Sequence, residues 1–189
     1  MNTTLKAALV TLFTVLNIYS QVTQLWESRY NNGSTDQCNA MTVDASGNVY
    51  VTGTSGPLGT QDIATIKYNT SGVLLWTKRY NGTAGGTDYG NAIAVDYSGN
   101  VFVTGKTWTS TSNYDVITIK HNSSGDTVWT RRYNGPRNGF DEGLSICVDI
   151  SGNVYVTGKE EGTVGTHGIW ENYITIKYNS AGTFLWGAS

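Results

Sequence analysis

The chain of 189 residues is close to neutral, with 12 Lys and Arg against 14 Asp and Glu and a formal net charge of -2. This balance excludes a nucleic-acid partner from our expectations, because no block of positive charge is present to attract phosphate. The 23 Gly, 12 Tyr and 6 Trp, with only 2 Pro, are typical of short strands joined by tight turns. We therefore expect an all-β protein.

Residues 1–21 differ in kind from the rest of the chain. Lys6 is followed by an apolar run from Ala7 to Ile18. A run of about 12 residues fits the apolar region of a secretory signal peptide and is too short to span a bilayer. We expect export to the cell surface or the medium and no membrane span; an N-terminal core strand or helix is the alternative.

The rest of the chain repeats with a period near 50 residues. The sequence Trp-Thr-Lys-Arg-Tyr-Asn-Gly from Trp76 returns from Trp129 with one Lys-to-Arg change, a weaker copy begins at Trp26, and Trp186 marks a last one. Such a period indicates that each copy is one supersecondary unit that buries its apolar face on its neighbours.

Each copy reads as four short strands. In the second copy, alternating apolar and polar residues predict strands at Asn91–Asp96, Asn100–Gly105, Asp115–Lys120 and Thr127–Tyr133. The first two strands are joined by Asp-x-Ser-Gly-Asn turns, and the last two by Asn-x-Ser-Gly or Asn-x-Ala-Gly hairpins. In both, Gly is suited to the left-handed backbone position of a tight turn. The turns begin at Asp44, Asp96 and Asp149, and the hairpins at Asn69, Asn122 and Asn179.

These turn, strand and hairpin motifs, recurring in order three times, resemble the SBBP family of bacterial β-propeller repeats and more distantly NHL repeats. The resemblance covers nearly all of residues 26–189. It implies a partial propeller over residues 22–189, with four-stranded antiparallel blades at about 36–82, 88–135 and 141–187. It also implies that Leu25–Tyr30 is an orphan outer strand with no blade of its own.

Three blades are fewer than the roughly 4 to 8 of a closed ring. The third blade supplies its own outer strand, Thr183–Trp186, so the orphan strand has no evident partner. The chain is then a truncated part of a longer ring, or one half of a six-bladed homodimer, or an open stack of blades. We favour truncation, because open sheet edges invite aggregation and Ser189 falls only three residues after Trp186.

One set of candidate ligand residues is Asp36, Asp88 and Asp141, each eight residues before the Asp of a turn. In the connections between blades, these carboxylates would form a ring able to hold a cation or to bond a polar ligand. The alternative is structural: each carboxylate accepts backbone N–H bonds and fixes one blade to the next.

A second set lies in the variable connections between the second and third strands, at Thr54–Gln61, Lys106–Tyr114 and Lys159–Glu171. Exposed Trp108, Trp170 and His167 would bind protein or carbohydrate there. The alternative makes both tryptophans lids over the blade edge. By contrast, the repeated Trp76 and Trp129 are predicted to pack between blades.

No chemistry of its own is indicated for the chain. His121 and His167 belong to no visible metal cluster, and the turn from Asp44 lacks the closing acid of a calcium loop. Cys38 and Cys147 occupy non-equivalent repeat positions, and we expect them to be unpaired and half-buried. We predict no catalytic residues, no metal and no cofactor.

The function predicted from these features is a secreted or cell-surface module that binds protein or carbohydrate through its loop face without catalysis. One alternative is a fragment of a larger propeller enzyme, of the polysaccharide lyase or hydrolase type, with its catalytic residues elsewhere. Another is a structural spacer in an adhesin-like protein.

Overall fold

A computed structural model describes residues 24–109, 113–165 and 168–189; the predicted signal peptide, residues 1–21, lies outside them. The described part of the chain folds into three four-stranded antiparallel sheets, which do not close into a ring. The first blade contains β1 (Thr35–Val43), β2 (Val49–Gly56), β3 (Asp62–Tyr68) and β4 (Leu74–Tyr80). The second contains β5 (Tyr89–Val95), β6 (Val101–Trp108), β7 (Tyr114–His121) and β8 (Thr127–Tyr133). The third contains β9 (Glu142–Val148), β10 (Val154–Gly165), β11 (Gly168–Tyr178) and β12 (Phe184–Ala188).

The all-β fold and the three four-stranded blades are confirmed. Strand order within each blade follows the chain, so every blade is a simple meander. The predicted turn chemistry is also confirmed: Asp44 Oδ1 accepts the backbone N–H groups of Ser46 and Asn48, both at 2.9 Å, and Gly47 has φ +81°. A carboxylate that closes a turn in this way explains why Asp and Gly are needed at these positions.

The apolar cores lie between the blades. We call the side of each blade that meets the preceding blade its front face, and the opposite side its rear face. The rear face of the first blade packs on the front face of the second, and the rear face of the second packs on the front face of the third. The first junction buries Tyr50 and Ile63 against Ile93, Val101, Val103, Ile117 and Ile119. The second buries Phe102, Val116 and Trp129 against Ile146, Val154, Val156, Ile174, Ile176 and Tyr178.

A glycine allows the closest approach at each junction. A Cβ on Gly90 of β5 would lie 2.5 Å from Thr52 Oγ1 and 2.8 Å from the Ile63 side chain of the preceding blade. Gly143 of β9 lies in the same way against Thr104 and Val116. Only a residue without a side chain fits there, so these glycines set the spacing of the inner strands.

The repeated tryptophans hold the outer part of each junction, which confirms their predicted packing between blades. The ring of Trp76 covers Gly125 in the β7–β8 hairpin, and its Nε1–H donates to the Ser123 carbonyl at 3.2 Å. Trp129 covers Gly182 and donates to the Ser180 carbonyl, also at 3.2 Å. The ring of Trp26 covers Gly72 of the first blade in the same position.

The segment that carries Trp26 has no regular secondary structure. Residues 24–32, which include the predicted orphan strand Leu25–Tyr30, pair with no strand of the described chain. The ring of Trp26 lies 6.4 Å from that of Tyr68, a spacing close to the 6.1 Å between Trp129 and Tyr178. The segment therefore makes the tryptophan contact of an outer strand without belonging to a sheet.

The connection predicted as a loop at Lys159–Glu171 is instead a long β-hairpin. β10 and β11 continue pairing beyond the blade, with Glu161 opposite Glu171 and Val164 opposite Ile169. Lys159 Nζ lies 2.7 Å from Glu171 Oε1. The segment mixes charged residues with glycine and β-branched residues, a composition that fits a loop as well as a paired hairpin, so the sequence did not indicate the pairing.

The burial predicted for the two cysteines is also wrong, because Cys38 and Cys147 are both exposed and unpaired. Cys38 lies on the front face of the first blade and Cys147 on the rear face of the third, and in the described chain no further blade packs on either face. Within the same described ranges, no helix has the length and hydropathy to cross a membrane.

The Gly90 contact predicts a selective effect of adding one methyl group. Gly90→Ala should lower the free energy of unfolding by about 1–3 kcal/mol, because the methyl group overlaps Thr52 and Ile63. The control is Gly187→Ala in β12, where a Cβ would lie 3.4 Å from the Phe184 ring and 3.8 Å from the Ile174 side chain, both ordinary contacts. Urea unfolding of both variants measures the difference; equal stabilities would contradict the close approach.

Candidate ligand site at the loop end of the blades

Antiparallel pairing divides the connections between two ends of the blades. The loop end carries the β2–β3, β6–β7 and β10–β11 connections together with the two segments that link one blade to the next. The turn end carries the Asp-x-Ser-Gly-Asn turns and the β3–β4, β7–β8 and β11–β12 hairpins. Of the ligand residues predicted from the sequence, those that the structure describes with their side chains, Asp36, Asp88, Trp108 and Asp141, fall at the loop end.

Asp88 joins the first blade to the second. Its backbone N–H donates to the Gln61 carbonyl of the first blade at 2.7 Å. Its carboxylate accepts the N–H of Gly82 at 2.6 Å, the hydroxyl of Thr107 at 2.7 Å and the N–H of Trp108 at 3.0 Å. The side chain is buried, and burial raises its pKa although these hydrogen bonds act in the opposite direction.

Asp141 repeats this arrangement between the second and third blades. Its N–H donates to the Tyr114 carbonyl at 2.7 Å, and its carboxylate accepts the N–H groups of Gly135 at 2.5 Å and Glu161 at 3.2 Å. Burial raises the pKa of this carboxyl group too. Both residues thus have the geometry of the structural alternative, and their binding of a ligand stays a prediction.

Asp36, at the equivalent position of the first blade, is less completely bonded. Its Oδ2 accepts the N–H of Asn32 at 3.0 Å, whereas its Oδ1 is buried without a hydrogen-bond partner in the described chain. The position of Trp108 in the second blade is taken by Gly56 in the first, so the two sites differ in sequence as well as in bonding. A ligand role for Asp36 also stays a prediction.

Trp108 is the last residue of β6 and lines an open pocket. One face of its ring lies directly on Gly86 in the link between blades, and its edge meets Tyr114 with ring centroids 4.9 Å apart. The pocket has a volume of about 370 Å³ and lies between loops of the first and second blades. It is lined by Gly59, Ala84, Gly85, Gly86, Thr87, Trp108 and Tyr114.

Beside this pocket, an aromatic cluster surrounds a lysine. Lys106 Nζ lies 4.7 Å from the ring centre of Tyr89, 5.1 Å from that of Tyr114 and 4.8 Å from that of Phe140. It also forms an ion pair with Glu142 Oε1 at 2.9 Å. Cation–π attraction and the ion pair fix the amine in place, and burial raises the Tyr114 pKa to about 12.

Sequence reasoning did not find this cluster. Its members come from three strands and a link, so only tertiary packing brings them together. The one signal in the sequence was the recurrence of lysine at 106 and 159, two equivalent positions. Of the predicted residues in the third blade, His167 and the side chain of Trp170 lie outside the described part of the structure.

The turn end also has a pocket, of about 520 Å³, between the three Asp-x-Ser-Gly-Asn turns. Hydrogen bonds from Asn48 and Tyr50 help to occupy the Asp44 carboxylate, and its pKa lies below the usual range despite the opposing effect of burial. Within the described ranges, no three His, Cys, Asp or Glu side chains converge to hold a metal ion. The carboxylates at the turn end therefore already accept hydrogen bonds from the turns themselves.

Comparison with known families agrees with the blade architecture. The model of the SBBP family, described as a β-propeller repeat, matches residues 23–56 and residues 75–110. At these two places the chain is similar to the SBBP repeat. Each match begins at or just before a repeated tryptophan and runs through the first two strands of the next blade. The SBBP unit therefore spans a junction, and the segment around Trp26 is the start of such a unit.

The chain is also similar to the regulatory protein FlaEY of Caulobacter vibrioides. The two are 28% identical over an alignment of 137 residues, and the alignment covers 62% of this chain and 14% of FlaEY. The chain thus spans a small part of the length of that relative.

His121 is a buried departure from the chain's own repeat, since Tyr68 and Tyr178 hold the equivalent positions. The Trp76 ring lies 6.2 Å from the imidazole, and Thr127 Oγ1 lies 3.2 Å from its Nδ1. Burial, with a smaller contribution from the Lys78 charge, lowers the pKa of His121 to about 4. The folded SBBP blade therefore holds this side chain neutral.

This pKa predicts acid sensitivity with a definite direction. Between an unfolded pKa near 6.5 and the folded value of about 4, the unfolded chain binds a proton that the folded chain does not, so stability falls as pH falls through that range. At pH 5 the loss from His121 is about 2 kcal/mol. His121→Tyr should remove it. Urea unfolding at pH 7.5 and pH 5 measures the effect, and equal losses in both proteins would contradict it.

Proposed function

We propose that this protein is a non-catalytic β-propeller module that binds a protein or carbohydrate ligand at the loop end of its blades. The observation that carries the proposal is the Trp108 pocket. Its volume of about 370 Å³ lies within the range of small-ligand pockets, and it combines two aromatic side chains with glycine walls.

The chemistry of the pocket favours a ligand with both apolar faces and polar edges. Tyr114 and Trp108 offer flat apolar surface, whereas Gly85, where an added Cβ would meet nothing within 4 Å, leaves its backbone groups unshielded by side chains. A sugar ring or a peptide side chain with its amide has this combination. Lys106 and Glu142 lie beside the pocket with opposite charges, and their pairing keeps that flank nearly neutral.

The proposal includes the absence of catalytic activity. This part of the proposal rests on the hydrogen bonds that the acidic side chains accept. Buried Asp88 and Asp141 accept backbone hydrogen bonds, and Glu160 accepts the Tyr133 hydroxyl at 2.8 Å. Groups occupied in this way are positioned to hold the fold and not to transfer protons. FlaEY is named a regulatory protein, and regulation through binding is compatible with a module of this kind.

A binding screen with matched variants tests the loop-end site. Wild type is applied to glycan and protein arrays, and each hit is measured again with Trp108→Ala, which should weaken binding at least about 10-fold through loss of the aromatic surface. The control is Tyr97→Ala, because Tyr97 is an exposed aromatic residue at the turn end. Thermal unfolding confirms that both variants fold. Weaker binding with the control and unchanged binding with Trp108→Ala would place the ligand at the turn end and would contradict the proposal.

Export by residues 1–21 is also proposed, on the charge and apolar pattern of that segment. Expression of the full chain in a bacterial host should give a mature protein that lacks this segment and is found outside the cytoplasm. N-terminal sequencing of the fractionated protein measures this, and an intact N-terminus in the cytoplasmic fraction would contradict it.

A further inference from the structure

Two blade faces of the described chain have no blade packed on them. On the front face of the first blade, Met41 is 61% exposed, although Ile93 at the equivalent position of the second blade is 9% exposed. On the rear face of the third blade, Tyr173 is 88% exposed, whereas the equivalent Val116 is fully buried. These are the two halves of one junction, since every internal junction joins a rear face to a front face.

The rear face of the third blade keeps the donors of the internal junctions. Trp186 pairs across strands with Lys177, as Trp76 pairs with Lys67 and Trp129 with Lys120. In each internal junction this lysine donates to the same serine carbonyl as the tryptophan, at 3.4 Å for Lys67 and 3.2 Å for Lys120. The described chain offers no such carbonyl to Lys177 and Trp186.

Lys177 is already arranged as its counterparts are. Its Nζ lies 5.0 Å from the ring centre of Tyr155, and the corresponding distance is 5.0 Å from Lys67 to Tyr50 and 5.2 Å from Lys120 to Phe102. Because the stacked amine needs no rearrangement, the donor side of a further junction is preformed.

The matching acceptor is the β3–β4 hairpin of the first blade. Its turn has the hydrogen bond of the other two hairpins, from the Gly72 N–H to the Asn69 carbonyl at 3.0 Å, and Gly72 has φ +76°. Trp26 covers this glycine, but among the described contacts its indole donates no hydrogen bond to the Thr70 carbonyl, the counterpart of Ser123 and Ser180. Trp26 thus makes an incomplete copy of the contact.

We propose that the rear face of the third blade binds the front face of the first blade in a second copy of this chain, where Trp186 replaces Trp26 over Gly72. Trp186 and Lys177 then donate to the Thr70 carbonyl of that copy. The unpaired segment around Trp26 is the competitor that has to leave, and no strand pairing in the described chain resists its departure.

The inner part of this junction differs from the internal ones on both sides. Cys38 stands where Gly90 and Gly143 approach the preceding blade, and Leu144 stands where Asn39 and Asn91 donate to a glycine carbonyl at 3.0 Å. Leu144 has no amide, so the proposed junction lacks this bond to the backbone carbonyl and places an apolar side chain beside the Cys38 thiol. The added Cβ of Cys38 keeps the inner strands farther apart, which makes this junction weaker than those within the chain.

The contact joins a rear face to a front face, so it is heterologous. Such an assembly closes into a ring only if the rotations from each blade to the next add up to a full turn. Two copies contribute six blades, which is inside the range of about 4 to 8 for closed propellers. The expected assembly is therefore a closed head-to-tail dimer in which neither blade face remains open.

Sedimentation velocity of the full chain, in reductant and over a range of concentrations, tests the proposal. Wild type should form a reversible dimer. Trp186→Ala should weaken dimerisation at least about 10-fold, because the large tryptophan contact at the outer part of the junction is lost, without lowering the midpoint of thermal unfolding of the monomer. Trp26→Ala and Cys38→Gly should each strengthen dimerisation, by removing the competitor and the obstructing side chain.

Tyr97→Ala serves as the control, since it removes an exposed aromatic residue that lies on neither blade face. Three results would overturn the proposal. In the first, wild type and Trp26→Ala both stay monomeric at high concentration. In the second, Trp186→Ala dimerises as strongly as wild type. In the third, Cys38→Gly dimerises more weakly than wild type.

Discussion

A tryptophan lying on the glycine of the next blade's hairpin is the contact on which the rest of the structure depends. It sets the outer spacing of the blades, and its indole N–H donates, together with a lysine amine from the neighbouring strand, to a serine carbonyl in the hairpin of the next blade. Gly125 and Gly182 meet two demands at once, since the turn requires positive φ and the ring requires the space of the missing side chain. No other residue satisfies both, so the hairpin sequence and the packing between blades are fixed together.

The strands, turns and outer contacts could be predicted from the sequence because each depends on residues close together in the chain. Strand β8 begins and ends where alternation predicted, at Thr127–Tyr133, and the Asp44 turn closes through bonds within four residues. The packing of the tryptophans between blades could be predicted because the residue recurs at the same position of each repeat, although the contact itself joins residues far apart in the chain. The same periodicity marked Asp88 and Asp141, whose hydrogen bonds hold adjacent blades together.

What the sequence could not provide depends on packing between distant segments. The burial of Cys38 and Cys147 was misjudged because it depends on which blade face is covered, and a residue's own neighbours in sequence do not reveal that. The extension of β10 and β11 was missed because mixed charged and apolar residues fit both a loop and a paired hairpin. The cluster around Lys106 needed aromatic rings from separate strands, which no local pattern connects.

The offset between the SBBP unit and the blade has a consequence for how such chains change length. The second match starts in the outer strand β4, the first starts at the unpaired segment around Trp26, and each ends at or just after the end of the second strand of the following blade, so residues 57–74 lie between the two matches. A gene duplication that copies one unit together with the stretch after it inserts a tryptophan and the glycine hairpin that receives it. The number of blades can then increase by recombination while every new junction keeps its tryptophan and the glycine hairpin that receives it. The loops between strands remain free to diverge in length.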